Sequence, residues 1–112
     1  MADKIVAFST CGSLEEARAV AHALVEARLA ACVNIVPGVT STYRWKGVVE
    51  EASELLLVIK TRAELIQELT AKLRQVHSYE VPELIALPVS SGLPDYLAWI
   101  GAETGSLAQS DE

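Results

Sequence analysis

Hydrophobic and polar positions change period several times along this chain, and each change marks an element. Lys4-Ile5-Val6-Ala7-Phe8-Ser9 is a short, nearly continuous apolar run, the pattern of a strand covered on both faces or lying at an interface. Ser13-Leu14-Glu15-Glu16 then reads as a capping box. Leu14, Ala17, Ala21, Leu24 and Val25 follow at helical spacing opposite Glu15, Arg18, His22 and Glu26, predicting a first helix to about Arg28. His22, among the polar positions, reads most simply as a solvated helix residue.

The period shortens from Cys32 to Thr61. Cys32 to Val36 is strand-like, Pro37-Gly38 interrupts as a bulge or bend, and Val39 to Trp45 resumes with β-formers. Lys46-Gly47 supplies a turn, and the return strand runs from Val48-Val49 through a polar stretch into Leu55-Leu56-Leu57-Val58-Ile59. A second helix is predicted from about Arg62 to Val76, with Leu65, Leu69, Leu73 and Val76 on one face. Glu83 to Leu87 is the next strand, Pro88 stops it, and Pro94 to Ile100 suggests a terminal helix. The small, polar residues from Thr104 to Glu112 read as a flexible tail.

The resulting order is β-α-β-β-α-β with an extra C-terminal helix, an α+β arrangement of the ferredoxin-like type in which two helices cover one face of a four-stranded antiparallel sheet. Its hairpin, about 14 residues per arm, is roughly twice the usual strand length, so its tip projects. A projecting ribbon carrying Tyr43, Trp45, Val48 and Val49 leaves apolar surface and open strand edges, which predicts a homo-oligomer built by strand addition. With head-to-tail pairing of a twisted four-stranded sheet a trimer is the smallest ring that leaves no edge free, and the pattern itself does not fix the number.

Composition narrows the function. The 112 residues form a single domain, 51% of them hydrophobic, enough for a core. A net charge of -6 with nine scattered Lys and Arg argues against nucleic acid and anionic membranes as partners. No apolar stretch approaches 18 residues and the first residues lack the regions of a signal peptide, so the expected location is the cytoplasm.

The densest polar cluster is His77-Ser78-Tyr79-Glu80-Val81-Pro82-Glu83. His77 can ligate a metal or take up a proton, Tyr79 can donate a hydrogen bond, and Glu80 and Glu83 are acceptors. Pro82 stiffens the turn that presents them. The competing reading has His77 simply ending the second helix, where the dipole favours a cation. Cys32 reads as a small core hydrophobe. Cys11, in Ser9-Thr10-Cys11-Gly12-Ser13, reads as a loop thiol ahead of a helix N-terminus, either inert or made reactive or metal-binding by the dipole. The two cysteines have neither metal-knuckle nor Cys-x-x-Cys spacing.

Leu29-Ala30-Ala31-Cys32-Val33-Asn34-Ile35-Val36-Pro37-Gly38-Val39-Thr40-Ser41-Thr42-Tyr43-Arg44-Trp45-Lys46-Gly47 and the His77 to Glu83 cluster resemble signature segments of the CutA family, the divalent-cation tolerance proteins. Leu57 to Thr61, Leu87-Pro88-Val89 and Tyr96 to Ile100 add to a resemblance that covers residues 4 to 101. Ser78 stands where many members have proline. The resemblance implies a stable homotrimer of ferredoxin-like subunits with interlocking hairpins, and a part in tolerance of copper and other divalent metals. It also links a cysteine near the end of the first strand to metal binding, although Cys11 is one or two residues from the equivalent place.

Three functions follow as expectations. The first is a metal-responsive trimer that binds Cu²⁺ or a similar ion weakly, through His77 with a carboxylate or through Cys11, with no obligatory cofactor. No Cys/His quartet is available for a closed site, so any site is open or shared between subunits. The second is a sensor or adaptor resembling the PII signalling proteins, binding a small molecule or anion in inter-subunit clefts lined by Tyr43, Trp45, Lys60, His77, Tyr79, Glu80 and Glu83 and presenting the hairpin to a protein partner. The third, an enzyme, is disfavoured, because a Cys32-His77 pair would need Cys32 to leave its buried setting and no orienting third group is evident.

Overall fold

The computed structural model describes residues 3–105. The elements run β1 (Lys4–Cys11), α1 (Leu14–Glu26), β2 (Cys32–Trp45), β3 (Val48–Arg62), a 3₁₀ turn (Ala63–Leu65), α2 (Ile66–Val76), β4 (Ile85–Pro88) and α3 (Pro94–Ala102). They form one antiparallel sheet of order β2-β3-β1-β4, the ferredoxin-like arrangement.

Alternation along the strands decides which side chains enter the core. Ile5, Ala7, Ser9 and Cys11 of β1 lie in register with Thr61, Ile59, Leu57 and Leu55 of β3, and this side is buried under α1 and α2. The helices contribute Ala17, Val20, Leu24, Leu69 and Leu73 to the same cluster. The other face carries Val6, Phe8, Leu56 and Val58 in the centre, with Val36, Ile85 and Leu87 toward the edges. Those last three are 42%, 58% and 54% exposed, too much apolar area for a finished surface.

The hairpin is as long as its sequence predicts. β1 reaches only to Leu55, so the seven pairs from Val39–Glu54 to Trp45–Val48 stand free as a two-stranded ribbon of about 23 Å, taking roughly 3.3 Å per residue. At its tip Lys46 (φ 52°) and Gly47 (φ 84°) make a two-residue turn of the type whose twist suits a hairpin. At its base the pairing slips between Val36 and Val39, where Pro37 and Gly38 (φ 83°) form the expected bulge. The projecting ribbon gives the molecule its long axis of 51 Å.

Several expectations are corrected. Ser13 caps α1 by accepting the Glu16 N–H at 3.1 Å, but Glu16 does not complete a capping box, because its carboxylate is engaged elsewhere. Leu14 and Val25 are exposed rather than core, and Val20 takes the buried place. Thr104, expected in a free tail, is buried: Arg62 Nε donates to its hydroxyl at 2.9 Å, while Arg28 Nε donates to the Gly105 carbonyl at 2.8 Å. The rest of that tail, 106–112, lies outside the described residues. His22 is solvent-exposed on α1, as its polar neighbours imply.

Candidate functional site

Polar groups gather where the end of β1, the start of α1, the base of the ribbon and the segment after α2 meet. His77 ends α2 in extended conformation, with its backbone N–H still bonded to the Leu73 carbonyl at 2.9 Å. Its side chain has no solvent exposure. The Nε2 atom lies 2.6 Å from the Thr10 carbonyl oxygen, which can only accept, so Nε2 carries the hydrogen and donates. Nδ1 then accepts the Tyr79 N–H at 3.1 Å. This pair of partners occupies both ring nitrogens, and Glu16 Oε2 stands 3.8 Å from Nδ1.

Cys11 Sγ lies 3.7 Å from His77 Nε2, so the chain's two expected metal ligands are neighbours although 66 residues separate them. Cys11 is the last residue of β1 and fully buried, not a loop thiol. Burial, reinforced by the Glu16 and Glu54 carboxylates, pushes the thiol up to about 12, the reverse of the dipole-stabilised thiolate considered from sequence.

Glu16 turns from its own helix to accept the Ser78 N–H at 2.7 Å. Burial alone would raise this carboxyl, but the hydrogen bonding from Ser78, with help from the neighbouring His77 ring and the Gly12 N–H, outweighs it and holds the group below its ordinary value. Tyr79 packs tilted on His77 at 4.5 Å between centroids and donates its hydroxyl to Glu54 Oε2 at 2.6 Å. Burial, the Glu54 hydrogen bond and the nearby carboxylate all raise the phenol well above its usual range. Gly12 makes the close approach possible: a Cβ there would stand 3.2 Å from the Tyr79 hydroxyl oxygen.

Outside this cluster a cleft of about 630 Å³ opens between the ribbon and residues 79–83. Of the residues expected to line clefts between subunits, Tyr43, Trp45, Tyr79, Glu80 and Glu83 stand together on this cleft of one chain. His77 sits behind Tyr79 and does not reach it. Lys60 is elsewhere, in register with Cys32 and Val6 far down β3, where it bonds the Asn34 side-chain oxygen. Sequence reasoning missed Thr10, Glu16 and Glu54. Glu54 had one visible signal, as the last carboxylate before an apolar strand interior; Glu16 was read only as part of a cap.

The model of the CutA1 divalent ion tolerance protein family matches residues 5–103. The chain belongs to the CutA1 family. It is 52% identical over 104 residues to Protein CutA of Mus musculus, a match covering 93% of this chain but 59% of the mouse protein. The chain thus spans about three-fifths of that relative's length. With the divalent-cation tolerance protein CutA of Thermus thermophilus it shares 51% identity over 89% of this chain and 97% of that protein.

Solved CutA1 structures carry the same fold. The Thermus thermophilus protein superimposes with a TM-score of 0.89 at 50% identity, covering 91% of this chain and 99% of the other, and CutA1 of Oryza sativa with 0.89 at 42%, covering 93% and 95%. None of these CutA proteins bears the name of an enzyme. Among the described residues no helix is long and apolar enough to cross a membrane.

Proposed function

We propose that this chain acts in divalent-cation tolerance as a homotrimer that associates with Cu²⁺ or a similar ion weakly, at the Cys11–His77 pair. The 3.7 Å separation of Cys11 Sγ and His77 Nε2 carries the reading, since a thiol beside an imidazole is a donor set suited to copper. The same geometry makes the association weak. An incoming cation must displace the thiol proton, held at about 12, and the Nε2 proton, which leaves the Thr10 carbonyl and can pass to Nδ1 only with loss of the Tyr79 N–H bond there. Among the described residues no group of three His, Cys, Asp or Glu side chains converges on it, so the pair does not fit a closed site within one chain.

The uncovered sheet face and the free ribbon support assembly, and a trimer would pair the two edge strands, β2 and β4, head to tail around a closed ring. Calorimetric titration of Cu²⁺ into wild type, Cys11→Ser and His77→Ala tests the metal reading. Weakened binding in both variants, with wild-type affinity rising from pH 6 to pH 8, is expected. Equal binding by all three proteins overturns it.

A further inference from the structure

Glu16 stands on the opposite side of the His77 ring from Cys11. Cys11 Sγ lies 3.7 Å from Nε2 and Glu16 Oε2 lies 3.8 Å from Nδ1, so thiol, imidazole and carboxylate follow one another across the ring. All three belong to one chain and meet where the end of β1, the start of α1 and the end of α2 pack together. The His77 side chain is fully buried there and that of Glu16 is 19% exposed, without any contribution from a neighbouring subunit.

Nε2 is the ring atom that faces the thiol, so a cation shared by Cys11 and His77 takes the place of the Nε2 hydrogen. That hydrogen then belongs on Nδ1, where it needs an acceptor. The Tyr79 N–H, 3.1 Å away, is a donor and cannot serve. Glu16 is the carboxylate that, among the described residues, lies within ion-pair distance of the ring. It already holds the Ser78 N–H at 2.7 Å, and with about four lone-pair directions on its two oxygens it can accept a second hydrogen without giving up the first.

We propose that Glu16 is the positioning residue of the Cys11–His77 pair: it accepts Nδ1–H when Nε2 takes the cation, and so holds the ring in the binding orientation and tautomer. This role rests on the proposed association of Cu²⁺ with the pair. A closing movement of about 1 Å brings Oε2 within hydrogen-bond reach of Nδ1. An imidazole whose second nitrogen donates to a carboxylate is the more basic ligand at its first. The ring hydrogen changes nitrogen, with no change in the number the ring carries.

Calorimetric titration of Cu²⁺ into the whole chain as wild type, Glu16→Gln, His77→Ala and the double variant is the first measurement. Glutamine keeps an acceptor for the Ser78 N–H but lacks the charge, so Glu16→Gln is expected to weaken binding about 10- to 100-fold, while Glu15→Gln on the exposed side of α1 leaves it intact. In the His77→Ala background Glu16→Gln should cost no further affinity, whereas a carboxylate acting only as diffuse charge or as part of the fold would weaken both backgrounds alike. The second measurement needs no variant: nitrogen-15 spectra of the histidine rings, with Zn²⁺ as a diamagnetic stand-in, should show the His77 hydrogen on Nε2 before addition and on Nδ1 after it, with His22 unchanged. A Glu16→Gln protein that binds as wild type does, an equal loss in both backgrounds, or a hydrogen that stays on Nε2 each overturns the role of Glu16. Weakened binding in Cys11→Ser and His77→Ala but not in Glu16→Gln overturns that role alone, and undiminished binding in all of them overturns the metal reading and the role of Glu16 together.

Discussion

Tyr79 and Glu54 join two parts of the chain that share no element: the phenolic hydroxyl from the segment after α2 reaches the carboxylate at the base of the ribbon across 2.6 Å. The bond ties the free ribbon to the helical layer. Because the phenol is raised well above its usual range, it remains a donor at pH values where an ordinary tyrosine begins to ionise.

Tyr79→Phe is therefore expected to destabilise the protein by about 1–3 kcal/mol, the scale for leaving a buried acceptor without its partner. Urea midpoints of wild type, Tyr79→Phe, Glu54→Gln and the double variant measure it. A double variant as unstable as the sum of the singles would show that the two groups do not act together.

The lowered carboxyl of Glu16 gives stability with a defined pH sense. Its folded value lies below the ordinary 4.5, so its contribution is present above that value and is lost as pH falls through the lower folded one. Glu16→Gln should flatten the acid limb of stability against pH and leave the neutral region little changed in slope. Thermal melts from pH 7 to pH 3 are the measurement, and identical acid limbs would remove Glu16 from the account.

Cys11 acts in the opposite direction. A thiol whose folded value is raised from 9.0 to about 12 stabilises the fold below 9 and withdraws that contribution as pH climbs through the interval. Cys11→Ser should weaken the alkaline loss. The native thiol is also expected to resist iodoacetamide at pH 8, with mass spectrometry showing Cys11 alkylated only after unfolding.

Trp45 is 36% exposed in a single chain although it adjoins the ribbon's tip, furthest from its own sheet. If a neighbouring subunit covers it, Trp45→Ala should cost about 2 kcal/mol or more per interface and make assembly dependent on concentration. Sedimentation at low micromolar concentration reads this directly, with His22→Ala as the variant expected to change little. A Trp45→Ala protein as firmly assembled as wild type would remove the tip from the interface.

Local chemistry made the hairpin legible. Pro37-Gly38 and Lys46-Gly47 place the bulge and the turn, because few residues accept the backbone angles required there, and the strands between follow from their β-formers. What could not be read was register. Tyr79 meets Glu54, Cys11 meets His77, and Glu16 meets Ser78 only after non-local strands and helices pack, and no periodicity encodes those meetings. Lys60 stands far from Tyr43 within one chain because the hairpin register sets Tyr43 opposite Glu50 and Lys60 opposite Cys32. The anchoring of Thr104 escaped because the arginines that hold the end of the chain, Arg28 and Arg62, belong to earlier elements.

The bulge at Pro37 and Gly38 also acts as a phase inverter for β2. Below it, even-numbered residues share a side with Leu56 and Val58; above it, the odd-numbered Val39, Ser41, Tyr43 and Trp45 share a side with Glu54 and Ala52. The two aromatics thus continue the same side of the sheet as Val36, rather than turning to the back of the ribbon. Regular pairing of the same residues, with Gly38 opposite Glu54, would carry both rings to that back. One extra residue absorbed at the base of the ribbon therefore decides whether Tyr43 and Trp45 look toward Glu54 or away from it.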